Sequence, residues 1–230
     1  MAINIDDVYQ KVLAIANKEQ RGYITPQEFN IFASLAQKEI LQQYFYDLNV
    51  LARTPVANKE HSDPVEIIEE KISPFLAQAN LVYDPATVSF SLPQDLYKIG
   101  SLTTIGGTLI EEVSAKELTV MKSSPLLNPS SLTPVYYFVN SLLKVEPTTV
   151  NAICNYVREP HRPQWGFVVI NDQAMYDPNP DKTTHFDLHK SEEAELTYRI
   201  LALAGIAMQN NNLAQIALGM NKSVEQSEKQ

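Results

Sequence analysis

The sequence has little of what secreted, membrane-spanning or nucleic-acid-wrapping proteins need. It contains one cysteine in 230 residues, so the chain cannot form an internal disulfide. Its longest apolar run, Ile200 to Met208, is far shorter than the roughly 20 residues of a membrane span. It has no run of lysine or arginine and carries a formal charge of -9, whereas binding to phosphate backbones depends on clustered basic residues. These absences predict an intracellular, soluble protein.

Motifs for catalysis and phosphate binding are also missing. The sequence has no G-x-S-x-G motif and no glycine-rich phosphate loop. Glu111 and Glu112 are neighbours on a predicted strand, so their carboxyl groups point to opposite faces and cannot share a proton. Cys154 has the apolar neighbours Ile153 and Tyr156, which predicts a buried thiol rather than a nucleophile. We therefore expect no enzyme activity, no catalytic residue and no cofactor.

The stretch THFDLH contains residue types that bind metals. On a strand, His185, Asp187 and His189 would share one face, but a zinc site would need further ligands at defined spacing. We expect no metal ion here and interpret the stretch as a loop that enters the last helix. A hydrolase that uses His185 and Asp187 stays open as an alternative.

Residues 17–28, NKEQRGYITPQE, partly follow the calcium-binding loop of an EF-hand, with Gly22 at position six and Glu28 at position twelve. Arg21 occupies a ligand position, where its permanent charge would repel the cation. Thr25 and Glu28 also fit a capping box at the start of a helix whose first residue is Pro26. We predict a helix start, and a degenerate EF-hand-like regulatory module is the alternative function.

Apolar periodicity predicts helices over residues 6–17, 26–50, 65–72 and 191–208. The second helix is unusual because it carries two apolar stripes, whereas a surface helix needs one. Phe29, Ile40 and Tyr44 belong to the first stripe, and the second consists of Ile31, Leu35, Leu41 and Leu48. Two stripes imply two packing partners, one of which could be another protein chain.

Between residues 81 and 170 the apolar period changes to two. TVSFSL predicts a half-buried strand, and paired strands are expected around Gly106-Gly107 and around Asn140-Ser141. VNAICNYVREP supplies a further strand, and Ser114 with Glu117 forms a second capping box for a short helix. These segments predict a small antiparallel sheet with one helix packed on it.

The predicted fold is α+β, with a helical bundle formed by the N- and C-terminal helices and a small antiparallel β domain inserted between them. The predicted domain boundaries are 1–80 for the first helices, 81–172 for the β domain and 173–220 for the last helices. Residues 221–230 form a polar tail, which we expect to be mobile in the isolated protein.

The segment NYVREPHRPQWG, 155–166, is one of the few basic places on an acidic chain. Its two prolines favour an extended backbone. Trp165 could plug the edge of the sheet within a rigid loop. Alternatively, Trp165 with Arg158 and Arg162 could form a contact arm, because tryptophan and arginine are common interface anchors.

Several segments together resemble the head-to-tail adaptor and neck ring proteins of short-tailed bacteriophages, especially those of crAss-like gut phages. The resemblance rests on QKVLAIANKEQRGYITPQEFNIFASLAQKEIL, FSLPQDLYKIGSLTTIGG, EEVSAKELTVMKSSPLLNPSSLTPVYYFVN, LLKVEPTT, NYVREPHRPQWG and SEEAELTYRILALAGIAM, and it spans nearly the whole chain.

The resemblance implies a structural virion protein that assembles with copies of itself, in a ring of twelve, beneath the phage portal protein. It implies a helical bundle between subunits, a β domain facing a further neck or tail protein, and a C-terminal segment docked on the portal. DNA would pass through the ring without sequence-specific binding. The residues expected at interfaces are Phe29, Ile31, Leu35, Leu41, Leu48, Arg158, Arg162, Trp165, Met220, Asn221 and Lys222.

Overall fold

The computed structural model describes residues 3–18, 24–53, 62–140, 142–148, 151–207 and 219–220. The chain forms two compact units. We call the first the helical unit, which comprises Met1–Pro74 and Pro160–Gln230, and the second the barrel unit, which comprises Phe75–Glu159. The sequence placed the corresponding boundaries at 81 and 172.

The described residues form five α-helices and nine strands. The helices are α1 (Ile5–Lys18), α2 (Pro26–Arg53), α3 (Ser62–Ile72), α4 (Ala115–Ser123) and α5 (Glu193–Ala207). The strands are β1 (Leu76–Asp84), β2 (Ser89–Ser91), β3 (Leu96–Thr104), β4 (Leu109–Glu112), β5 (Val135–Val139), β6 (Leu142–Glu146), β7 (Asn151–Arg158), β8 (Phe167–Ile170) and β9 (Gln173–Tyr176). Short 3-10 helices span Ser73–Phe75 and Lys190–Glu192.

Both predicted capping boxes are present. The Thr25 backbone N–H donates to Glu28 Oε2 at 3.0 Å, and the Glu28 N–H donates to Thr25 Oγ1 at 3.3 Å. Ser114 and Glu117 make the same reciprocal pair at the start of α4. These bonds satisfy backbone donors that have no partner within the helix, which is why α2 and α4 begin where the sequence predicts.

The predicted fold, a helical bundle with an inserted small antiparallel β domain, is wrong. The structure is α+β, and in its described part a closed seven-stranded barrel accompanies five helices. Helices α1 and α2 pack against α5, but helices alone do not fill the core of the helical unit. Extended residues between 160 and 190 lie within that core and contribute the fully buried side chains of Trp165, Phe186 and Leu188.

The barrel closes in the strand order β1-β2-β6-β5-β4-β3-β7, with β7 pairing back onto β1. Neighbouring strands are antiparallel except for β4 and β5, which run parallel. The barrel interior is filled by apolar side chains from every strand, including Leu81, Phe90, Leu102, Ile110, Leu143 and Cys154. Closure leaves no free edge strand in this barrel, whereas the predicted small sheet would have had two.

Strand β1, which the sequence did not predict, closes the barrel. Its inward positions, Ala77, Ala79, Leu81 and Tyr83, begin with two alanines, so the apolar contrast with the outward positions is weak. The two predicted paired-strand units, β3 with β4 and β5 with β6, are confirmed. The predicted strand in TVSFSL is shorter than expected, because Val88 adopts a positive φ of 49° and β2 begins only at Ser89.

Candidate protein interface

Helix α2 has a buried face and an exposed apolar stripe. The buried face includes Phe29, Ala33, Ala36, Ile40, Leu41 and Tyr44, which belong to the core. On the opposite side Ile31 is 66% exposed, Leu35 44%, Tyr46 63% and Val50 44%. Spacings of four, eleven and fifteen residues from Ile31 place Leu35, Gln42 and Tyr46 along one line of the helix surface. We call Ile31, Leu35, Tyr46 and Val50 the α2 stripe.

The predicted interface residues divide by exposure. Phe29, Leu41 and Trp165 are buried within this chain, so their side chains have no free surface. Leu48 and Arg158 are half-buried, and the Arg158 guanidinium lies 6.0 Å from the centre of the Phe75 ring within the barrel unit. Ile31, Leu35, Arg162 and Met220 are exposed. Asn221 and Lys222 lie outside the described residues.

The sequence missed Tyr46 and Val50, although their helical spacing from Ile31 and Leu35 was a usable signal. Tyr46 and Val50 are exposed because of the rotation of α2 about its axis, which two polar residues set. The Asn30 side chain accepts the Trp165 N–H at 2.7 Å and donates to the Trp165 carbonyl at 3.3 Å. Gln37, which is buried, donates to the His161 carbonyl at 2.7 Å and accepts the Asp187 N–H at 3.0 Å.

Trp165 lies in the core of the helical unit, neither at the edge of the barrel sheet nor on an exposed arm. Its ring centre is 4.3 Å from that of Tyr9 on α1. It also stacks on Phe167 and Tyr176, the paired residues at the base of the β8–β9 ribbon. Its indole Nε1–H donates to Asp6 Oδ1 at 2.9 Å, so the buried polar atom of the ring is satisfied.

Acidic residues at the start of α5 connect to three other helices. Glu192, fully buried, pairs with Lys71 of α3 at 2.8 Å. Glu193 pairs with Lys11 of α1. Glu195 binds Arg199 at 2.5 Å, and Arg199 lies 3.8 Å from Glu39 of α2. The carboxylates also lie near the positive end of the helix dipole, so this arrangement fixes the positions of the helices relative to α5.

The side chains of THFDLH have separate roles. The His185 Nδ1 accepts the Ile5 N–H at 3.4 Å, and Asp187 pairs with His161 at 2.9 Å. His189 caps the 3-10 helix that leads into α5. Within the described part of the chain, no three His, Cys, Asp or Glu side chains are arranged to hold a metal ion. The candidate calcium loop, 17–28, falls partly outside the described residues.

Titratable groups inside the barrel are held in their neutral forms. Burial, with the nearby charge of Glu112 and a hydrogen bond to it, raises the pKa of Tyr136 to about 12. The Tyr136 hydroxyl donates to Glu112 Oε2 at 3.1 Å. Cys154 is fully buried, which confirms the prediction of a buried side chain, and this burial raises the pKa of its thiol. A thiol kept protonated is a poor nucleophile.

Among the described helices, none combines the length and the apolar composition needed to cross a bilayer.

No protein-family model matches the chain, and no curated protein matches it.

Proposed function

We propose that this protein is a structural subunit of a ring in the head-to-tail connector of a short-tailed bacteriophage. In this role the chain assembles with copies of itself beneath the portal protein and contacts a further neck or tail protein. It acts by assembly and not by catalysis. Its place is the virion, and the host cytoplasm during assembly.

The α2 stripe is the observation that carries this proposal. Its four apolar side chains line one side of a helix of 28 residues, which is about 42 Å long at the standard rise. Exposed apolar surface of this kind marks protein interfaces, since water contact with it is unfavourable. A neighbouring subunit in a ring would cover the stripe. The exposed stripe does not by itself identify the assembly. The proposal of a connector ring comes from the sequence resemblance to neck proteins, which spans nearly the whole chain.

The charge of the chain suits a channel through which DNA passes. A formal charge of -9 disfavours contacts with the phosphate backbone. A subunit that lines such a channel must not retain the DNA that it guides. The proposed ring therefore surrounds DNA without sequence-specific binding, and its count of twelve copies is what the resemblance to neck proteins implies.

The test is assembly on the portal protein, observed by electron microscopy. The wild-type chain should form rings of defined symmetry on the portal. The double substitution Ile31→Lys and Leu35→Lys should abolish them, because lysine in the interface would bury an unpaired charge. Ile105→Lys is the matched control, since Ile105 is also an exposed apolar residue but lies in the β3–β4 turn of the barrel unit.

Both variants should remain folded, because substitutions at exposed positions change stability by about 0.5 kcal/mol or less. Circular dichroism checks this before assembly is scored. A wild-type protein that stays monomeric in the presence of its portal would contradict the proposed function. Rings that form equally well with the double variant would contradict the role of the α2 stripe.

A further inference from the structure

The β8–β9 ribbon is a two-stranded sheet that no other described strand joins. It consists of Phe167–Ile170 and Gln173–Tyr176 with the turn between them. A ribbon of two strands is marginally stable in water unless further strands or packing support it. Its base has such support, because Phe167 and Tyr176 stack on Trp165. Beyond this base the ribbon extends into solvent.

The outer part of the ribbon exposes apolar side chains on both faces. Alternate residues of a strand share a face, so Val169 lies on the same face as Phe167, and its side chain is 61% exposed. Val168, Ile170 and Met175 lie on the other face and are each at least 40% exposed. Neither strand contains a charged residue or a proline. Charged residues and prolines keep edge strands from pairing with other chains, so this ribbon lacks that protection.

Backbone groups along both edges of the ribbon point away from it. The Asp177 N–H donates to the Gly166 carbonyl at 2.9 Å, so these two residues form a hydrogen-bonded pair. Such pairs alternate along an antiparallel ribbon with pairs whose N–H and C=O groups point outward. The outward groups therefore belong to Phe167 and Val169 on β8 and to Ala174 and Tyr176 on β9.

The edge of β8 is covered at its base and open beyond it. The Asn30 side chain bonds both backbone groups of Trp165, the outward residue that precedes Phe167 on this edge. Among the residues that the structure describes, none bonds the outward backbone groups of Phe167 or Val169. Asn30 thus takes the place of a neighbouring strand at Trp165, and the next outward positions are free to accept a strand.

A second copy of this chain offers edges that fit. An open strand edge binds another through the backbone bonds that hold a sheet together. Of the two sheets formed by the described residues, the barrel is closed, so the open edges belong to the ribbon. Within one ribbon Val169 is opposite Ala174, and Phe167 is opposite Tyr176. When two ribbons stand side by side in the same orientation, the outward groups of β9 are therefore level with those of β8 on the next copy.

We infer that β9 of one copy pairs with β8 of the next as an antiparallel sheet. Ala174 pairs with Val169 of the neighbouring copy, and Tyr176 pairs with its Phe167. Because the two edges differ, the contact is head-to-tail, and a ring in which every copy uses both edges leaves none open. The inference rests on the proposed function, since it assumes that copies of this chain assemble side by side, and it names strands that join them.

Single cysteine substitutions on the two edges test this contact in the full chain. Val169→Cys and Ala174→Cys are made in separate chains, because the two positions oppose each other within one ribbon and would form an internal disulfide. The two variants are mixed on the portal protein under mild oxidation. Opposed residues of paired strands lie about 5 Å apart, which suits a disulfide. The wild-type chain, whose Cys154 is buried, is the control.

The mixture should give a disulfide-linked dimer of one variant with the other. Either variant alone should give on the order of tenfold less dimer, because like edges do not meet and the high effective concentration of a contact is absent. As much dimer from one variant alone as from the mixture would show that like edges pair, which overturns the head-to-tail contact. A mixture with no more dimer than the wild-type chain also overturns it.

Two substitutions at position 169 test the backbone bonds themselves. Val169→Pro removes the outward N–H but leaves the bonds within the ribbon, whereas Val169→Thr keeps the N–H and a β-branched side chain. Circular dichroism checks that both variants are folded. Ring formation on the portal should be about tenfold weaker with proline than with threonine. Equal ring formation overturns the pairing. Loss of rings with proline, together with no cross-link in the mixture, shows that another protein covers the edge and overturns a second copy as its partner.

Electron microscopy of the cross-linked samples separates this inference from the proposed function. Rings that form on the portal without a cross-link between positions 169 and 174 overturn the ribbon contact and leave the ring subunit role standing. A cross-linked mixture that never forms a ring on the portal supports the ribbon contact and overturns the role.

Discussion

Asn30 holds the backbone of Trp165 at both its N–H and its carbonyl, as a neighbouring strand would. Gln37, seven residues later on the same helix face, makes the same two kinds of bond with His161 and Asp187. Helix α2 thus supplies side-chain amides in place of a sheet partner for an extended chain. This arrangement turns two polar residues inward and leaves Ile31 and Leu35 outside.

Replacing Gln37 with leucine should lower the free energy of unfolding by about 2 kcal/mol, because a backbone donor and a backbone acceptor lose their partner. Urea denaturation followed by the fluorescence of Trp165 measures this, since the single tryptophan reports on the helical unit. Gln42→Leu is the control, because Gln42 is exposed on the same helix. Equal effects of the two substitutions would contradict the role of Gln37.

Replacing Asp6 with alanine should cost about 1.5 kcal/mol, because Trp165 would lose a hydrogen bond to a charged acceptor. The tryptophan emission should also shift to longer wavelength as the indole gains access to water. Asp7→Ala removes the same charge from the same helix turn, but Asp7 is exposed. If Asp7→Ala destabilises the protein as much, the loss of stability comes from the interaction of the charge with the helix dipole and not from the hydrogen bond between Asp6 and Trp165.

Replacing Lys71 with methionine should destabilise the helical unit by about 3 to 5 kcal/mol, because Glu192 would keep a buried charge without its cation. Lys11→Met breaks the Lys11–Glu193 pair, in which Lys11 is more than half exposed, and should cost less than about 1 kcal/mol. Thermal unfolding of the two variants side by side measures the difference. Similar losses of stability in the two variants would show that burial does not increase the contribution of the Lys71–Glu192 pair.

The barrel should lose stability at high pH through Tyr136. Its pKa of about 12 in the folded protein exceeds the ordinary tyrosine value of about 10, so the fold favours the protonated phenol. The resulting stabilisation is fully present below pH 10 and is lost as the pH rises towards and through 12, by about 2 to 3 kcal/mol.

Denaturant unfolding at several pH values between 9 and 12, followed by circular dichroism, measures the contribution of Tyr136. Tyr136→Phe removes the ionisable group, so its stability should fall less steeply over this range than that of the wild type. Parallel curves for the two proteins would contradict the assignment.

Local features were predictable from the sequence because their signals depend on residues only a few positions apart. The capping residues Thr25 and Ser114 lie three positions before their glutamates. The β8–β9 ribbon was missed because FVVI is apolar on both faces and shows no alternation. Its turn residues, Asn171 and Asp172, both adopt positive φ, and this residue pair was an available signal.

Closure of the barrel could not be predicted, because it depends on pairing between β1 and β7, whose residues are about 75 positions apart. The α2 stripe was predicted in part. Ile31 and Leu35 are exposed as its role requires, whereas Leu41 is buried. Apolar periodicity gives the stripes of a helix but not its rotation, which the polar contacts of Asn30 and Gln37 determine here.

The pairing of Leu76 with Val157 brings together the points where the chain enters and leaves the barrel. Directly opposed residues of two antiparallel strands lie only about 5 Å apart. A segment whose ends meet can be removed or replaced without stretching the chain on either side. A short turn in place of residues 76–157 would therefore be enough to join the chain on either side of the barrel.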